Sequence, residues 1–128
     1  MKAQFDKYEP YANGFRALLN DKFDTKDDFG TPFGVGLTAN GRVVIGGGAT
    51  GIKGVLILSI KKPAGAVVDI MTSGEITGFT GTPGTNYYAD PTTGEISDTD
   101  AEDKVYVGHT VEADRLVVRT AQNYATPA

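Results

Sequence analysis

Two short runs in this chain have the residue types and spacing of ligand-binding loops. Gly46-Gly-Gly48-Ala-Thr-Gly51 satisfies G-x-G-x-x-G, follows the apolar Val43-Val-Ile45, and has Asp69 eighteen residues beyond its last glycine. In a dinucleotide site such glycines bring the backbone close to a pyrophosphate, which rests on the N-terminus of the helix that follows at once. Here the next residues are Ile52-Lys-Gly54-Val-Leu-Ile-Leu-Ser-Ile60, β-branched, interrupted by a glycine and followed by Pro63. That composition favours a strand over a helix, so a glycine-rich β-turn is expected and no nucleotide cofactor. The phosphate-loop form fails as well, because Lys53 follows Ile52 and stands in no Gly-Lys-Ser/Thr run. Asp98-Thr-Asp100-Ala-Glu102-Asp103 alternates carboxylates as calcium loops do. Asp103 stands where that loop needs glycine, however, and His109 where it needs glutamate. A solvated acidic loop is expected there, and no metal.

Nucleophilic chemistry has little to work with. Cysteine is absent, no Gly-x-Ser-x-Gly occurs, and His109 is the one imidazole in the chain. His109 shares a face with Val105, Val107 and Val111 in an alternating run, the position of a half-buried structural histidine. Glu75, Glu95 and Glu112 have the chemistry of a glycosidase pair, but their separation is not legible in sequence. No catalytic residue is assigned, and the expectation is a protein that is not an enzyme.

The elements that position these residues follow from composition and turn chemistry. The 128 residues suit one domain. Twelve bases against sixteen acids give a formal charge of −4, which argues against a nucleic-acid partner. The opening Met1-Lys-Ala-Gln-Phe-Asp has no apolar leader core, and the longest apolar run, Val55-Leu-Ile-Leu58, is far too short to span a bilayer. A soluble chain with no membrane partner is expected. Charge is uneven along it: residues 31–65 carry four bases and no acid, whereas 66–128 carry ten acids and three bases. Oppositely charged faces would let copies associate by complementarity, unless strand order mixes the two.

Seventeen glycines favour a turn-dense β architecture over helices. A hairpin is expected over Gly36–Ile45, around Asn40-Gly41 in a type I′ turn. Ile52–Ile60 reads as a central strand, Ala66–Thr72 as the next, and Ser73-Gly74 as a turn into Glu75-Ile-Thr. Asn86–Asp90 leads into a tight turn at Asp90-Pro91-Thr-Thr-Gly94; Lys104–Val111 and Arg115–Arg119 are the last strands. Residues 1–33 differ. Seven of the twelve aromatic residues fall there, at Phe5, Tyr8, Tyr11, Phe15, Phe23, Phe29 and Phe33, with no sustained period. One short helix is expected, Asn13–Leu19 with Asn13 as N-cap. Either the rings anchor an extended arm on a partner, or they return to the chain's own core. The division expected is an arm over 1–33, a β-domain over 34–122 and a tail over 123–128.

Three stretches resemble one known family. They are Gly41-Arg-Val-Val-Ile-Gly-Gly-Gly-Ala-Thr-Gly-Ile-Lys-Gly-Val-Leu with Lys62-Pro-Ala-Gly-Ala-Val-Val-Asp-Ile-Met-Thr-Ser-Gly-Glu-Ile; Pro83-Gly-Thr-Asn-Tyr-Tyr-Ala-Asp-Pro-Thr-Thr-Gly-Glu-Ile; and Val107-Gly-His-Thr-Val-Glu-Ala-Asp-Arg-Leu-Val-Val-Arg. In this order they are similar to the head decoration, or capsid cement, proteins of tailed bacteriophages, over roughly residues 35–120. Ala66 stands where that pattern often has a polar residue, and His109 where a small one is common. The resemblance implies a small β-barrel or β-sandwich of the β-tulip kind with an extended N-terminal arm. It also implies a homotrimer on the capsid exterior of the virion and a major capsid protein as the partner. Phe5, Tyr8, Tyr11 and Phe15 are then the expected capsid-facing anchors. An alternative is a carbohydrate- or receptor-binding module of a head fibre or tail adhesin, with Tyr87, Tyr88 and Tyr106 as a stacking platform.

Overall fold

The computed structural model describes residues 2–120. Its strands in chain order are β1 (Gln4–Phe5), β2 (Gly14–Leu18), β3 (Phe33–Leu37), β4 (Val43–Gly48), β5 (Gly54–Leu56), β6 (Val67–Met71), β7 (Ser73–Thr77), β8 (Asn86–Ala89), β9 (Ile96–Ser97), β10 (Val105–Thr110) and β11 (Arg115–Arg119). A four-residue helix, α1 (Pro10–Asn13), and a 3-10 turn at Lys26–Asp28 lie between the first three strands. The small all-β fold expected from glycine content and turn spacing is what forms.

The strands make two sheets, six in the order β1-β7-β11-β10-β8-β9 and five in the order β2-β6-β5-β3-β4. The five-stranded sheet curls into a half-barrel. Leu19, just past β2, bridges Val43 at the start of β4, and the Asn20 N–H donates to the Val43 carbonyl at 2.9 Å. The first and last strands of that sheet are thereby tied together. Strand alternation then sorts side chains into two cores. Met71 and Val55 pack across the sheets against Ile76, Val107, Leu116 and Val118. Ile70, beside Met71, points the other way and fills the inside of the curl with Leu56, Val35, Val43 and Val68. Ile70 and Met71 are both fully buried, in different cores, and each such side chain stabilises the fold by ~1.5–3 kcal/mol.

Thr72 alone separates β6 from β7, which lie in different sheets. Gly74 makes this corner feasible: its φ is +152°, and a Cβ there would come within 2.5 Å of the Lys7 carbonyl oxygen. Ser73 and Gly74 are therefore strand residues after a change of sheet, where a turn was expected. Thr72 is held from both sides. Its N–H and hydroxyl donate to the Asn13 carbonyl at 2.8 and 3.2 Å, and its own carbonyl accepts the N–H and hydroxyl of Thr120 at 2.9 and 3.1 Å.

The N-terminal third departs most from expectation. Residues 2–33 give β1 to one sheet and β2 to the other, so the boundary expected at residue 33 is not a structural one. Phe23 is buried, and Phe29 and Phe33 pack with it inside the curl. The helix expected over Asn13–Leu19 is instead strand β2, paired with β6 from Gly14↔Met71 to Leu18↔Val67. Phe15 and Ala17 face the curled core while Arg16 and Leu18 face out, a period of two that so short a segment does not reveal in advance. Asn13 closes α1 and does not start it: its side-chain oxygen accepts the Glu9 N–H at 2.8 Å, and the Glu9 carboxylate accepts the Ala12 N–H at 2.9 Å.

Two further expectations fail on backbone grounds. A type I′ turn needs positive φ at both central residues, but among the described residues only glycines have it, so Asn40 does not. Thr38 instead organises the turn, its hydroxyl accepting the Asn40 and Arg42 N–H groups, and β4 returns parallel to β3 with a broken register. The expected Ile52–Ile60 strand contracts to β5, Gly54–Leu56. The 90–94 turn forms as expected, the Gly94 N–H donating to the Asp90 carbonyl and the Asp90 carboxylate accepting from Thr92 and Thr93. The expected tail at 123–128 and the end of the 34–122 domain lie outside the described residues.

Candidate partner-binding surface

Phe5 and Tyr8, two of the expected anchors, meet. Their rings stack at 4.8 Å and lie, half-buried, against the core between the sheets. The Tyr8 ring also covers Gly14, and its hydroxyl lies 3.5 Å from the Ile70 carbonyl. Burial, reinforced by Asp69, pushes the Tyr8 phenol up to about 12. Phe15 goes elsewhere, packing half-buried against the curled core beside a cleft of about 300 Å³ lined by Pro10, Gly14, Phe15 and Arg16. Tyr11 belongs to α1, and its side chain lies outside the described part of the structure. Three anchors thus sit on one flank of the domain but serve two different cores. The reason is topological: β1 is an outer strand of one sheet and β2 of the other.

That flank carries the features of a contact surface. The outer strand β1 pairs with β7 on one side only, whereas β2 is closed on β4 at its Leu19 end. Leu18 and Val67, directly cross-strand, are 39% and 62% exposed and form an apolar pair. Beside them Arg16 Nε donates to Asp69 at 2.6 Å; on the other sheet Lys7 pairs with Glu75 of β7 at 3.5 Å. Neither ion pair had a sequence signal, because the partners are 53 and 68 residues apart.

The outer face of the six-stranded sheet is finished differently. A β-bulge between Tyr106 and Gly108 shifts the pairing of β10 with β8 and breaks the expected Val105–Val111 alternation. Tyr106 and His109, three residues apart, consequently share a face, and the Tyr106 hydroxyl lies 3.3 Å from His109 Nδ1. Tyr88 meets Tyr106 edge-on at 6.0 Å. Burial, and Tyr88 after it, raise the Tyr106 phenol above its usual range. Tyr87 points inward instead: it is buried and its hydroxyl accepts the Thr82 N–H at 3.0 Å. The three-tyrosine stacking platform is therefore not formed.

The candidate chemical groups are engaged in structural roles. Arg115 joins Glu75 at 3.1 Å and Glu112 at 2.6 Å, and its hydrogen bonds hold both carboxyls below their usual range. Glu95 lies apart, at a bridge to Phe33. The backbone N–H of Thr92, then Lys104 and Thr93, lower Asp90. The glycine motif is a site of close backbone packing. A Cβ on Gly36 would overlap the Gly47 carbonyl, and the N–H groups of Gly47 and Gly51 are spent on Pro91 and Gly47. No helix follows it. Among the described residues no three ligand side chains gather as a metal site.

No protein-family model matches this chain, and no curated protein does. Among solved structures, one described as Mycobacterium phage Patience superposes with a TM-score of 0.85 at 22% identity, covering 93% of this chain and 96% of that one. The likeness is one of fold.

Proposed function

We propose that the chain is a structural virion protein of a bacteriophage that binds the exterior of the assembled capsid and stabilises it. The observation that carries this reading is the end-to-end fold match to a phage chain. The ordered decoration-protein stretches in the sequence point the same way. On this reading the partner is the major capsid protein, copies assemble as a homotrimer, and no cofactor, nucleic acid or membrane is involved. The docking element is a flank and not a free arm: Phe5, Tyr8 and Phe15 hold β1 and β2 in place, and Leu18 and Val67 are presented beside them. Many weak attachments around a closed shell supply avidity.

The test uses heads stripped of the protein. The full chain should co-sediment with them to a saturating stoichiometry. Leu18→Asp should weaken binding about tenfold or more, since burying one such side chain is worth ~1.5–3 kcal/mol. Val111→Asp, at a site 45% exposed just past β10, which stands three places from β1 in its sheet, should leave binding unchanged. A chain that never sediments with heads sinks the capsid reading; equal losses from both variants sink the choice of flank.

A further inference from the structure

The chain contains the dipeptide Asn-Gly twice, as Asn13-Gly14 and Asn40-Gly41, in two environments of opposite character. We propose that Asn40 is a site of spontaneous deamidation and isoaspartate formation on the folded protein, while Asn13 is locked against the same reaction. The chemistry needs nothing but water. The backbone nitrogen of Gly41 attacks the side-chain carbonyl carbon of Asn40; the new N–C bond forms, the bond to the side-chain nitrogen breaks, and ammonia leaves carrying the backbone proton. The resulting succinimide adds water at either carbonyl, giving aspartate or isoaspartate.

Ring closure requires a free carboxamide, a peptide plane that can rotate, and space beside the attacking nitrogen. Asn40 and Gly41 meet the first and third as they stand, and the second when the exposed tip opens. Both are exposed at the tip of the connection between β3 and β4, and the position a Gly41 Cβ would occupy has no atom within 4 Å. No hydrogen bond engages the Asn40 carboxamide among the described residues. The tip is held by the Gly41 N–H on the Thr38 carbonyl at 2.9 Å and the Asn40 N–H on the Thr38 hydroxyl at 3.3 Å. Bonds at such an exposed position open by local fluctuation, without global unfolding.

Asn13 meets none of these conditions. Its carboxamide oxygen accepts the Glu9 N–H at 2.8 Å, and its N–H donates to the Glu9 carbonyl at 2.7 Å. Its carbonyl accepts both the N–H and the hydroxyl of Thr72. Gly14 is pressed so closely on the Ile70 carbonyl that a Cβ would overlap it. Forming the ring would release the Glu9 contact and rotate the very peptide that Thr72 holds. Losing bonds of this kind slows the step about tenfold or more.

Conversion at Asn40 adds one negative charge beside Arg42 to a chain of formal charge −4, and isoaspartate adds a methylene to the turn tip. Neither touches a core residue, so the altered form stays folded and accumulates with age.

The experiment incubates the full chain, folded and in parallel in concentrated urea, in warm, mildly alkaline buffer, with tryptic mapping over time. Peptide 27–42 reports Asn40 and peptide 8–16 reports Asn13. In the folded protein the 27–42 peptide should gain the mass of an NH2-to-OH exchange at least about tenfold faster than 8–16, and in urea the two rates should converge. Asn40→Gln should abolish the gain in 27–42. Equal rates in the folded protein, or no conversion of folded Asn40 when the unfolded chain converts, would overturn the proposal.

Discussion

The outer surfaces of the two sheets are finished in different ways. On the six-stranded sheet, register places Arg115 between Glu75 and Glu112 and sets Tyr88, Tyr106 and His109 side by side, so polar groups find partners within the domain. On the five-stranded sheet, the Leu18–Val67 pair stands open at the flank, and Ile60 is 59% exposed in the loop beyond β5. Cross-strand pairing stabilises the first surface locally. On the second it aligns two apolar side chains that remain 39% and 62% exposed. The difference says where a partner has something to gain: burying matched ion pairs costs desolvation, whereas burying the apolar pair is favourable outright.

The two cores provide the largest effect by which this contrast is broken or sharpened. Leu56→Ala inside the curl and Leu116→Ala between the sheets should each destabilise by ~2–5 kcal/mol in urea unfolding, both through one cooperative transition because Ile70 and Met71 couple the cores. Two separate transitions in Leu56→Ala would mean that the sheets are independent units. Gly36→Ala should cost less, ~1–3 kcal/mol, by forcing β3 away from the Gly47 carbonyl; a neutral result would remove close backbone packing as the reason for the glycine motif.

Tyr8→Phe should change stability at neutral pH by at most ~1 kcal/mol, but it should alter the alkaline limb. With its folded-state phenol raised to about 12 from 10, Tyr8 contributes stability that is complete below pH 10 and lost as pH climbs toward 12. The variant's urea midpoint should fall less over that window. The smallest effect lies on the opposite sheet. Glu75 and Glu112 are held low by Arg115, so their contribution is present above the ordinary glutamate value of 4.5 and lost as pH falls through their lower folded-state values. Arg115→Met should flatten the acid limb slightly; an unchanged slope would make the hub ornamental.

Most strands after residue 66 were legible because their signals are local. The apolar Val67–Met71 run after Pro63-Ala-Gly65, the Asx-type turn at Asp90 and the final Arg115–Arg119 run each declare themselves within a few residues. The glycine motif was legible too, since the β-branched residues from Ile52 onward exclude a helix after it. The N-terminal third was not, for a physical reason: Phe5 and Tyr8 serve one core while Phe15, Phe23, Phe29 and Phe33 serve the other. Rings divided between two destinations show no single period, and a segment that supplies one strand to each sheet reads as an arm. The bulge in β10 was hidden similarly, because it turns a clean alternation into a shared face for Tyr106 and His109 only once β8 is alongside. For the candidate surface, the residue types were visible and the pairing of Leu18 with Val67 was not.

The Thr72 corner has a mechanical meaning. Asn13, just before β2, and Thr120, just past β11, are bonded to the same residue, one through its N–H and hydroxyl and the other through its carbonyl. A pull applied between those two points passes through Thr72, from the bonds on one side to the bonds on the other. The change of sheet is thereby pinned at one residue, and the corner cannot open on one side without loading the bonds on the other.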